Sequence, residues 1–467
     1  MINLLGAPAP ASLLLQPFNA ESLKTYRGQA SAAVNNQINN QQFKAQFART
    51  ALITNGEGLL VEILVGTDRP PEDPRATQIL FARLAETLPP GNYTLDPADW
   101  PGYSLEHALL GWGLASYEFT TYLKQESREW AKLFIEGVDL GRVDRLLLAT
   151  FLARDLVNTP AADLGPAELC NCARELAGLH GAEIAIIEGD ALEKEYPAVH
   201  AVGKASVRPG AVIDLRWGKT EHPRLTLVGK GVVFDTGGLD LKPSAGMLIM
   251  KKDMGGAAVA LALTRLVLEH KLPVRLRLLI PAVENAVSGI AFRPGDVLRT
   301  RKGLTVEVGN TDAEGRLILC DALAEAVTEQ PDLLIDMATL TGACRIALGQ
   351  DLPAYFTPND QLALGLETAS QRAADPLWRM PLWRPYLSKL KSTISDLNNS
   401  ASTPFAGAVT AALFLHEFVK PFQNWIHLDM YAWRNDALPG YPKGGEASAL
   451  RALFHFLEDR YSGEGPG

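Results

Sequence analysis

The chain has 467 residues, of which 47% are hydrophobic and 21% are charged, and its formal net charge is -9. These values are ordinary for a soluble globular protein with a full core, and the length suggests two or three domains. The negative charge and the lack of a long basic run argue against nucleic acid as the main partner. No uninterrupted apolar run reaches about 18 residues, so no membrane span is predicted.

The first part of the chain predicts a small α/β unit. The runs ARTALIT and GLLVEILVG flank NGEG and predict a hairpin. ATQILFARLAETL and LEHALLGWGLASYEF have helical spacing, and the first stops at a pair of prolines. The apolar N-terminus, MINLLGAPAPASLLLQPF, lacks a Lys/Arg segment and contains prolines, which disfavours a signal peptide. We therefore expect a cytoplasmic protein.

A long amphipathic pattern follows at 143–160, VDRLLLATFLARDLVNTP. It predicts a helix that ends at Asn158-Thr159-Pro160 and connects two domains. The predicted division is an N-terminal α/β domain at 1–140, a connecting helix at 141–158 and a larger C-terminal domain at 159–467.

Strand and helix patterns alternate in the C-terminal part. The strand candidates are AEIAIIEG, AVIDLRW, RLTLVG, VRLRLLIPAV, LTVEVG and DLLIDMATL. The helix candidates are GAAVALALTRLVLEHK, GRLILCDALAEAVTEQ and GAVTAALFLHEFV. Several strands are apolar at nearly every position, as in sheets covered on both faces. The pattern predicts an α/β domain with a mixed, mostly parallel sheet flanked by helices, and ligands in such folds lie beyond the carboxyl ends of the strands.

Two acids, Asp312 and Glu314, fall where a strand candidate gives way to a helix, in VEVGNTDAEGRLILCDAL. One interpretation is structural: Asp312 caps the helix and Glu314 complements its dipole. The functional interpretation is that both acids bind a ligand beyond the strand end.

A second cluster of charges lies in a glycine-rich segment, VGKGVVFDTGGLDLKPSAGMLIMKKDMGGAA, at 228–258. It places Lys230, Asp235, Lys242 and Asp253 after the strand RLTLV. The alternative interpretation is a surface loop with solvated charges and no functional role. Loops of this length in compact domains, however, are usually functional or disordered. The segment lacks the spacing of a phosphate-binding P-loop.

Four acids near strand ends suit divalent cations. Converging carboxylates without cations would repel one another and raise each other's pKa. Two ions would balance Asp235, Asp253, Asp312 and Glu314, with carboxylates bridging between them. H-E-x-x-H and G-x-S-x-G are both absent, so a zincin or a serine hydrolase is not predicted. His427 is expected to be a satisfied core residue, and the four cysteines show neither metal spacing nor a disulfide framework.

NTDAEGRL (310–317), VGKGVVFDTGG, LDLKPSAGM and MKKDMGGAA together closely resemble the leucine (cytosol) aminopeptidase family. RDLVNTPAADLGP, RPGDV and MATLTGA are also similar to that family. The resemblance covers roughly the last two-thirds of the chain. It implies a metallo-exopeptidase that hydrolyses the N-terminal peptide bond of peptides, with an apolar first residue such as leucine favoured.

The resemblance also implies the roles of individual residues. One metal would be held by Lys230, Asp235, Asp253 and Glu314, and the other by Asp235, Asp312 and Glu314. Lys242 would polarise the scissile carbonyl, and Arg316 would hold a bicarbonate ion as general base. The ions would be manganese or zinc, with magnesium as a third candidate, and would activate the attacking water. The implied substrate-binding residues are Met250, Thr339, Thr341 and Gly342.

The family also implies a homohexamer, a dimer of trimers. The C-terminal region departs from the family pattern, with HLDMYAW and KGGEASAL where HLDIAG and a GATGRP-like segment are usual. That departure leaves the preferred first residue open. Two rival classes remain at this stage: a two-metal phosphoesterase, which usually carries several histidines, and a binding or structural protein.

Overall fold

The computed structural model describes residues 5–6, 12–70, 72–124 and 128–462. The first residues of the apolar N-terminus, 1–4 and 7–11, lie outside the described residues, and with them part of the segment weighed as a signal peptide. The chain divides into two compact units. Unit 1 runs to Leu148 and includes Asp436–Lys443, and unit 2 holds Ala149–Asn435 and the residues from Gly444 onward.

Unit 1 contains the hairpin and both helices that the sequence predicts. Its strands form a six-stranded sheet in the order β1-β6-β5-β2-β4-β3, within the described residues. The hairpin strands pair antiparallel, and the helix of ATQILFARLAETL buries its apolar face. The elements are β1 Leu5–Gly6, β2 Leu13–Phe18, α1 Ala20–Gln29, α2 Ala32–Asn40, β3 Thr50–Thr54, β4 Leu60–Gly66, α3 Ala76–Thr87, β5 Asn92–Thr94, α4 Leu105–Leu114 and β6 Lys132–Phe134.

Helix α5, Leu140–Asn158, matches the amphipathic pattern that the sequence places before the larger domain. The boundary between the two units falls inside this helix, between Leu148 and Ala149. None of the described helices combines the length and apolarity needed to cross a lipid bilayer.

The elements of unit 2 alternate as predicted. They are α6 Pro166–His180, β7 Glu183–Glu188, α7 Gly189–Glu195, α8 Pro197–Gly203, β8 Ala211–Trp217, β9 Arg224–Gly229, β10 Gly231–Asp235, α9 Ser244–Met247, α10 Gly255–Glu269, β11 Arg275–Asn285, β12 Val297–Arg299, β13 Thr305–Glu307, α11 Glu314–Ala326, β14 Leu333–Ala338, α12 Gly342–Leu348, β15 Ala354–Phe356, α13 Asp360–Arg372, β16 Trp378–Arg379, β17 Leu397–Asn398, α14 Gly407–Val419, β18 Trp425–Asp429, β19 Trp433–Arg434, β20 Gly444–Gly445 and α15 Leu450–Tyr461.

The central sheet of unit 2 has nine strands among the described residues, in the order β16-β15-β18-β14-β9-β11-β8-β7, with β10 paired to β11. Strands β10, β11, β9, β14 and β18 run parallel, while β8 is antiparallel to β11 and to β7. The predicted mixed, mostly parallel sheet is therefore confirmed. Helices α10 and α11 are buried along most of their length because they cover the apolar sheet.

Two local predictions need correction. The run LTVEVG forms strand β13, but β13 belongs to a separate three-stranded sheet with β12 and β17. The glycine-rich segment contains a further strand, β10, which pairs with β11. The run GVVF is not predicted as a strand because it is short and is flanked by glycine and charged residues.

Candidate metal-binding catalytic centre

The charged residues that the sequence singles out lie at the carboxyl edge of the central sheet. Lys230 directly follows β9, Asp235 is the last residue of β10, and Thr339 directly follows β14. Because these strands are parallel, their carboxyl ends meet at one edge. A 3-10 helix at Met250–Met254 and the turn before α11 bring Asp253, Asp312 and Glu314 to the same place.

This edge encloses a cavity of about 420 Å³. Every residue that the sequence nominates lines it: Lys230, Asp235, Lys242, Met250, Asp253, Asp312, Glu314, Arg316, Thr339, Thr341 and Gly342. The structure thus brings together residues that are more than 100 positions apart in the chain, at a site that the strand ends create.

Three carboxylates form the centre of the cavity. Asp235, Asp312 and Glu314 each offer an oxygen, and these atoms lie within 4.8 Å of one another. Burial and the neighbouring Asp235 raise the pKa of Asp312 to about 6. The same two causes raise the pKa of Glu314 well above its ordinary value. Among the described residues, Oε2 of Glu314 is buried without a hydrogen-bond partner. Burial and the closeness of the carboxylates to one another therefore disfavour the charged forms of Asp312 and Glu314.

Three lysines lie among these acids: Lys230, Lys242 and the buried Lys252, whose ammonium is 3.7 Å from Asp253. The Lys230 ammonium is 2.5 Å from Asp253 and 3.1 Å from Glu314. Burial disfavours its charge, but the carboxylates of Asp253, Glu314 and Asp235 outweigh burial and raise its pKa above the ordinary value. Without bound cations, the Lys230 side chain is therefore held in its charged form by the surrounding carboxylates.

Lys242 contacts the opposite side of the acid cluster. Its ammonium is 2.7 Å from Asp235 and also pairs with Asp312. Burial opposes its charge, but Asp235 and Glu314 raise its pKa above the ordinary value. Lys242 is therefore a cation at neutral pH, and it lies in the same cavity as the acids.

The turn before α11 decides between the two interpretations of Asp312. The N-cap of α11 is Ala313, without a side-chain capping bond, so the capping role weighed for Asp312 is wrong. Glu314 does occupy the first turn of the helix.

The NTDAEGR motif also contains Gly315. A Cβ on Gly315 would lie 2.5 Å from Cε and 2.8 Å from Nζ of Lys230. Gly315 is helical, so its contribution is space for the lysine rather than backbone freedom.

Arg316 is buried, and its Nη1 donates to the main-chain carbonyl of Asn399 at 2.8 Å. Burial lowers the pKa of its guanidinium to about 10. Within the described part of the chain, its Nε has no hydrogen-bond partner. A buried guanidinium with spare donors beside a cavity can hold a small anion.

Several residues that position this centre were missed by the sequence analysis. Asn285 donates to Asp235 at 2.8 Å and to the Thr311 carbonyl at 3.1 Å. Asn399 accepts from Gly309 and donates to the Asn310 carbonyl, both at 2.8 Å. Asn285 ends β11, so the strand-end rule that selects Asp235 could also have selected it.

Asp429 is a further positioning residue, at the end of β18. Its carboxylate accepts from the main-chain N–H groups of Leu340 and Thr341 at 3.0 Å and from the Thr341 hydroxyl at 2.6 Å. Thr339 in turn donates to Asp253 Oδ1 at 2.9 Å. The turn after β14 is therefore held from two sides, and it forms one wall of the cavity.

His427 is confirmed as a core residue. It is fully buried in β18, with Nδ1 2.6 Å from Asp336, which also accepts from the Trp425 indole at 2.7 Å. All four cysteines are free thiols, as their spacing predicts.

A mostly parallel sheet with a carboxylate and lysine centre at its carboxyl edge defines a hydrolase of the metal-dependent type. Residues 151–454 match the catalytic domain of the cytosol aminopeptidase family, and residues 13–136 match the N-terminal domain of M17 aminopeptidases. The chain belongs to the cytosol aminopeptidase family, M17. It is a hydrolase, a peptidase of the leucyl-aminopeptidase type.

Individual relatives agree with this assignment. A probable cytosol aminopeptidase of Syntrophotalea carbinolica is 42% identical over 74% of this chain and 73% of the relative. Peptidase B of Pectobacterium atrosepticum is 40% identical over 76% of this chain and 86% of the relative.

The fold has close counterparts among solved structures. The crystal structure of the Coxiella burnetii cytosol aminopeptidase covers 98% of this chain and 99% of its own, at 47% identity and a TM-score of 0.93. The bottromycin maturation enzyme BotP in complex with Mn is 31% identical, with a TM-score of 0.86, over 96% of this chain and 99% of its own.

Proposed function

We propose that the chain is a two-metal aminopeptidase that removes the first residue of peptides, with an apolar residue such as leucine favoured. The observation that carries this proposal is the acid cluster of Asp235, Asp312 and Glu314 in a cavity next to Lys242 and Arg316. Family membership limits the chemistry to peptide hydrolysis, so a phosphoesterase built on the same acids is not favoured.

The residues present fit a pair of divalent cations. The raised pKa values of Asp312 and Glu314 and the unpartnered Oε2 of Glu314 mark carboxylates that lack sufficient cations. Lys230, Asp235, Asp253 and Glu314 would hold one ion, and Asp235, Asp312 and Glu314 the other. Carboxylate-rich ligation suits manganese, magnesium or zinc. BotP was solved with manganese, which makes that ion our first choice.

When bound, such ions act as Lewis acids that acidify a water molecule and polarise a carbonyl. The remaining steps belong to side chains of this protein. Lys242 would donate a hydrogen bond to the scissile carbonyl oxygen as negative charge develops there. Arg316 would hold a bicarbonate ion through its spare donors, and that ion would supply the general base for the reaction. The Lys230 ammonium would release its proton when bound cations neutralise the carboxylates around it.

The substrate would lie along the wall formed by Met250 and the turn after β14. Met250, Thr339, Thr341 and Gly342 line the cavity, and Met430 adds an apolar surface. This composition supports an apolar first residue. We also propose a homohexamer, a dimer of trimers, and a cytoplasmic location, both on the family resemblance.

An amide-hydrolysis assay tests the proposal. The protein, stripped of metal and reloaded with manganese, zinc or magnesium, should release p-nitroaniline from leucine p-nitroanilide and spare p-nitrophenyl phosphate. The glutamate p-nitroanilide serves as a polar control for the first-residue preference. Absence of leucine amide turnover with every metal would remove the proposed function. Native mass measurement with elemental analysis checks the hexamer and two ions per subunit.

A further inference from the structure

A second polar cavity lies at the edge of the central sheet opposite the catalytic centre. Its volume is about 400 Å³. It is lined by the first residues of β9 and β11 and the last residues of β8. Strand β9 links the two edges, because it begins at Arg224 in this cavity and ends just before Lys230 in the other.

The strand register places four arginines on one face of the sheet at this cavity. Arg277 pairs with Arg216 across β11 and β8, and Arg275 pairs with Arg224 across β11 and β9. Arg275 and Arg277 are two residues apart on β11, so their side chains share a face. Like charges directly opposite in a sheet are destabilising unless something lies between them.

Carboxylates of the protein separate the first pair. Arg277 is 2.7 Å from Asp214 and 2.8 Å from Glu325. Arg216 is 2.7 Å from Glu329 and 3.1 Å from Asp214. This part of the cluster is a compensated network that contributes to the fold.

The second pair lacks such compensation. Arg224 donates from Nη1 to the main-chain carbonyl of Glu329 at 2.5 Å. Within the described residues, neither the Arg224 nor the Arg275 guanidinium forms an ion pair with a carboxylate. Glu329 already faces Arg216 and Arg277, and Glu183 lies in an exposed position on the outer strand β7. Asp332 also lies near this pair, since its carboxylate accepts from the Arg224 main-chain N–H at 2.6 Å. Among the described residues, the cavity therefore presents an exposed arginine, Arg224, and a half-buried one, Arg275, neither of which forms a side-chain ion pair.

We propose that this cavity binds a small dianionic oxyanion between Arg224 and Arg275. The planar fork of a guanidinium matches the oxygens of phosphate or carboxylate, and two forks suit a doubly charged group. The ligand could derive from a phosphate or from a dicarboxylate, since both present the same oxygens. This binding site is separate from the peptidase centre and does not depend on the proposed function.

Isothermal titration with inorganic phosphate tests the site, using the metal-loaded full chain at constant ionic strength. The variants are Arg224→Gln, Arg275→Gln and the double variant. Arg224 is exposed and Arg275 is only partly buried, so we expect these variants to fold. Arg299→Gln is the matched control, because Arg299 is an exposed strand arginine outside the cavity. A parallel titration with succinate distinguishes a dicarboxylate from a phosphate ligand.

We expect at least one of the two anions to bind the wild type and the Arg299→Gln control equally. Loss of one guanidinium should weaken that binding by about tenfold or more, which matches the usual contribution of hydrogen bonds to charged groups. Turnover of leucine p-nitroanilide should stay unchanged in all variants. Three outcomes would overturn the proposal: neither anion binds, the double variant binds with the affinity and stoichiometry of the wild type, or the control loses as much. Anion binding that remains in the double variant would occur at the catalytic centre instead.

Discussion

The two edges of the central sheet each hold a cluster of charged side chains, and the two clusters differ in how their charges are paired. At the carboxyl edge, Asp312 and Glu314 have raised pKa values because they lie close to Asp235 and are buried. At the other edge, Arg277 forms ion pairs with Asp214, Glu325 and Glu329, and Asp214 and Glu325 outweigh its burial and raise its pKa above the ordinary value. In the first cluster, two carboxylates are not fully stabilised in their charged forms, whereas most charges of the second cluster are paired.

This difference separates a binding site from a structural network. Buried charges that stabilise a fold are paired, since an unpaired buried charge is costly. A cluster that keeps excess charge of one sign needs an external partner of the other sign. Four substitutions or conditions probe the contrast, and they are arranged from the largest expected effect to the smallest.

Asp312→Ala should abolish leucine amide hydrolysis, with a drop in kcat/KM of about a thousandfold or more, because a proposed metal ligand is lost. Bound manganese, measured by elemental analysis, should fall with it. The free energy of unfolding of the metal-free protein should not decrease, since a crowded carboxylate is removed. Glu193→Ala, on the exposed face of α7, is the control. Full metal content in Asp312→Ala would contradict the ligand role.

Lys242→Ala should retain manganese but lose turnover by about a hundredfold to a thousandfold, as when one oxyanion donor is removed. The loss should appear in kcat, because the hydrogen bond strengthens only as charge develops on the oxygen. Steady-state kinetics and elemental analysis provide both readouts. The exposed Lys204→Ala is the matched control. A near-normal kcat would place Lys242 away from the reacting carbonyl.

Arg277→Gln should act on the fold instead of the chemistry. Removing one partner of a buried charge network costs about 3–5 kcal/mol, because Asp214 and Glu325 lose their cation. Denaturant unfolding of the variant and of the Arg299→Gln control measures this loss. The folded fraction should bind manganese as the wild type does. If unfolding is unchanged, the network at this edge does not stabilise the protein.

The smallest effect is the pH dependence of the metal-free protein. The folded-state pKa of Asp312, about 6, exceeds its ordinary value of 3.8, so the folded state binds more protons between these values. Its contribution is therefore present at low pH and is lost as the pH rises from about 4 through 6. Asp312→Asn should remove this component from the pH profile of the unfolding midpoint. If the wild type and Asp312→Asn gave identical pH profiles, the pKa of Asp312 would not be raised in the folded protein.

The sequence predicted the acid centre because its residues follow strand ends. Asp312, Glu314 and the segment from Lys230 to Asp253 were all chosen by position relative to apolar runs, and the structure places them around one cavity. The same reasoning missed β10, since its five residues, which begin with glycine and end with aspartate, give too short a pattern. It also missed Asn399 and Asp429, whose hydrogen bonds reach residues about 90 positions away in the chain.

The sequence by itself determined the family, the order of strands and helices, and the identity of the charged residues at the site. These follow from local patterns, because periodicity and motif spacing act over a few residues. Only the tertiary structure decided how those charges combine. It removed the capping role of Asp312, assigned Gly315 to leave space for Lys230, and paired Arg275 with Arg224. The last two depend on contacts between distant segments, which are set by packing and strand register and are not encoded by local pattern.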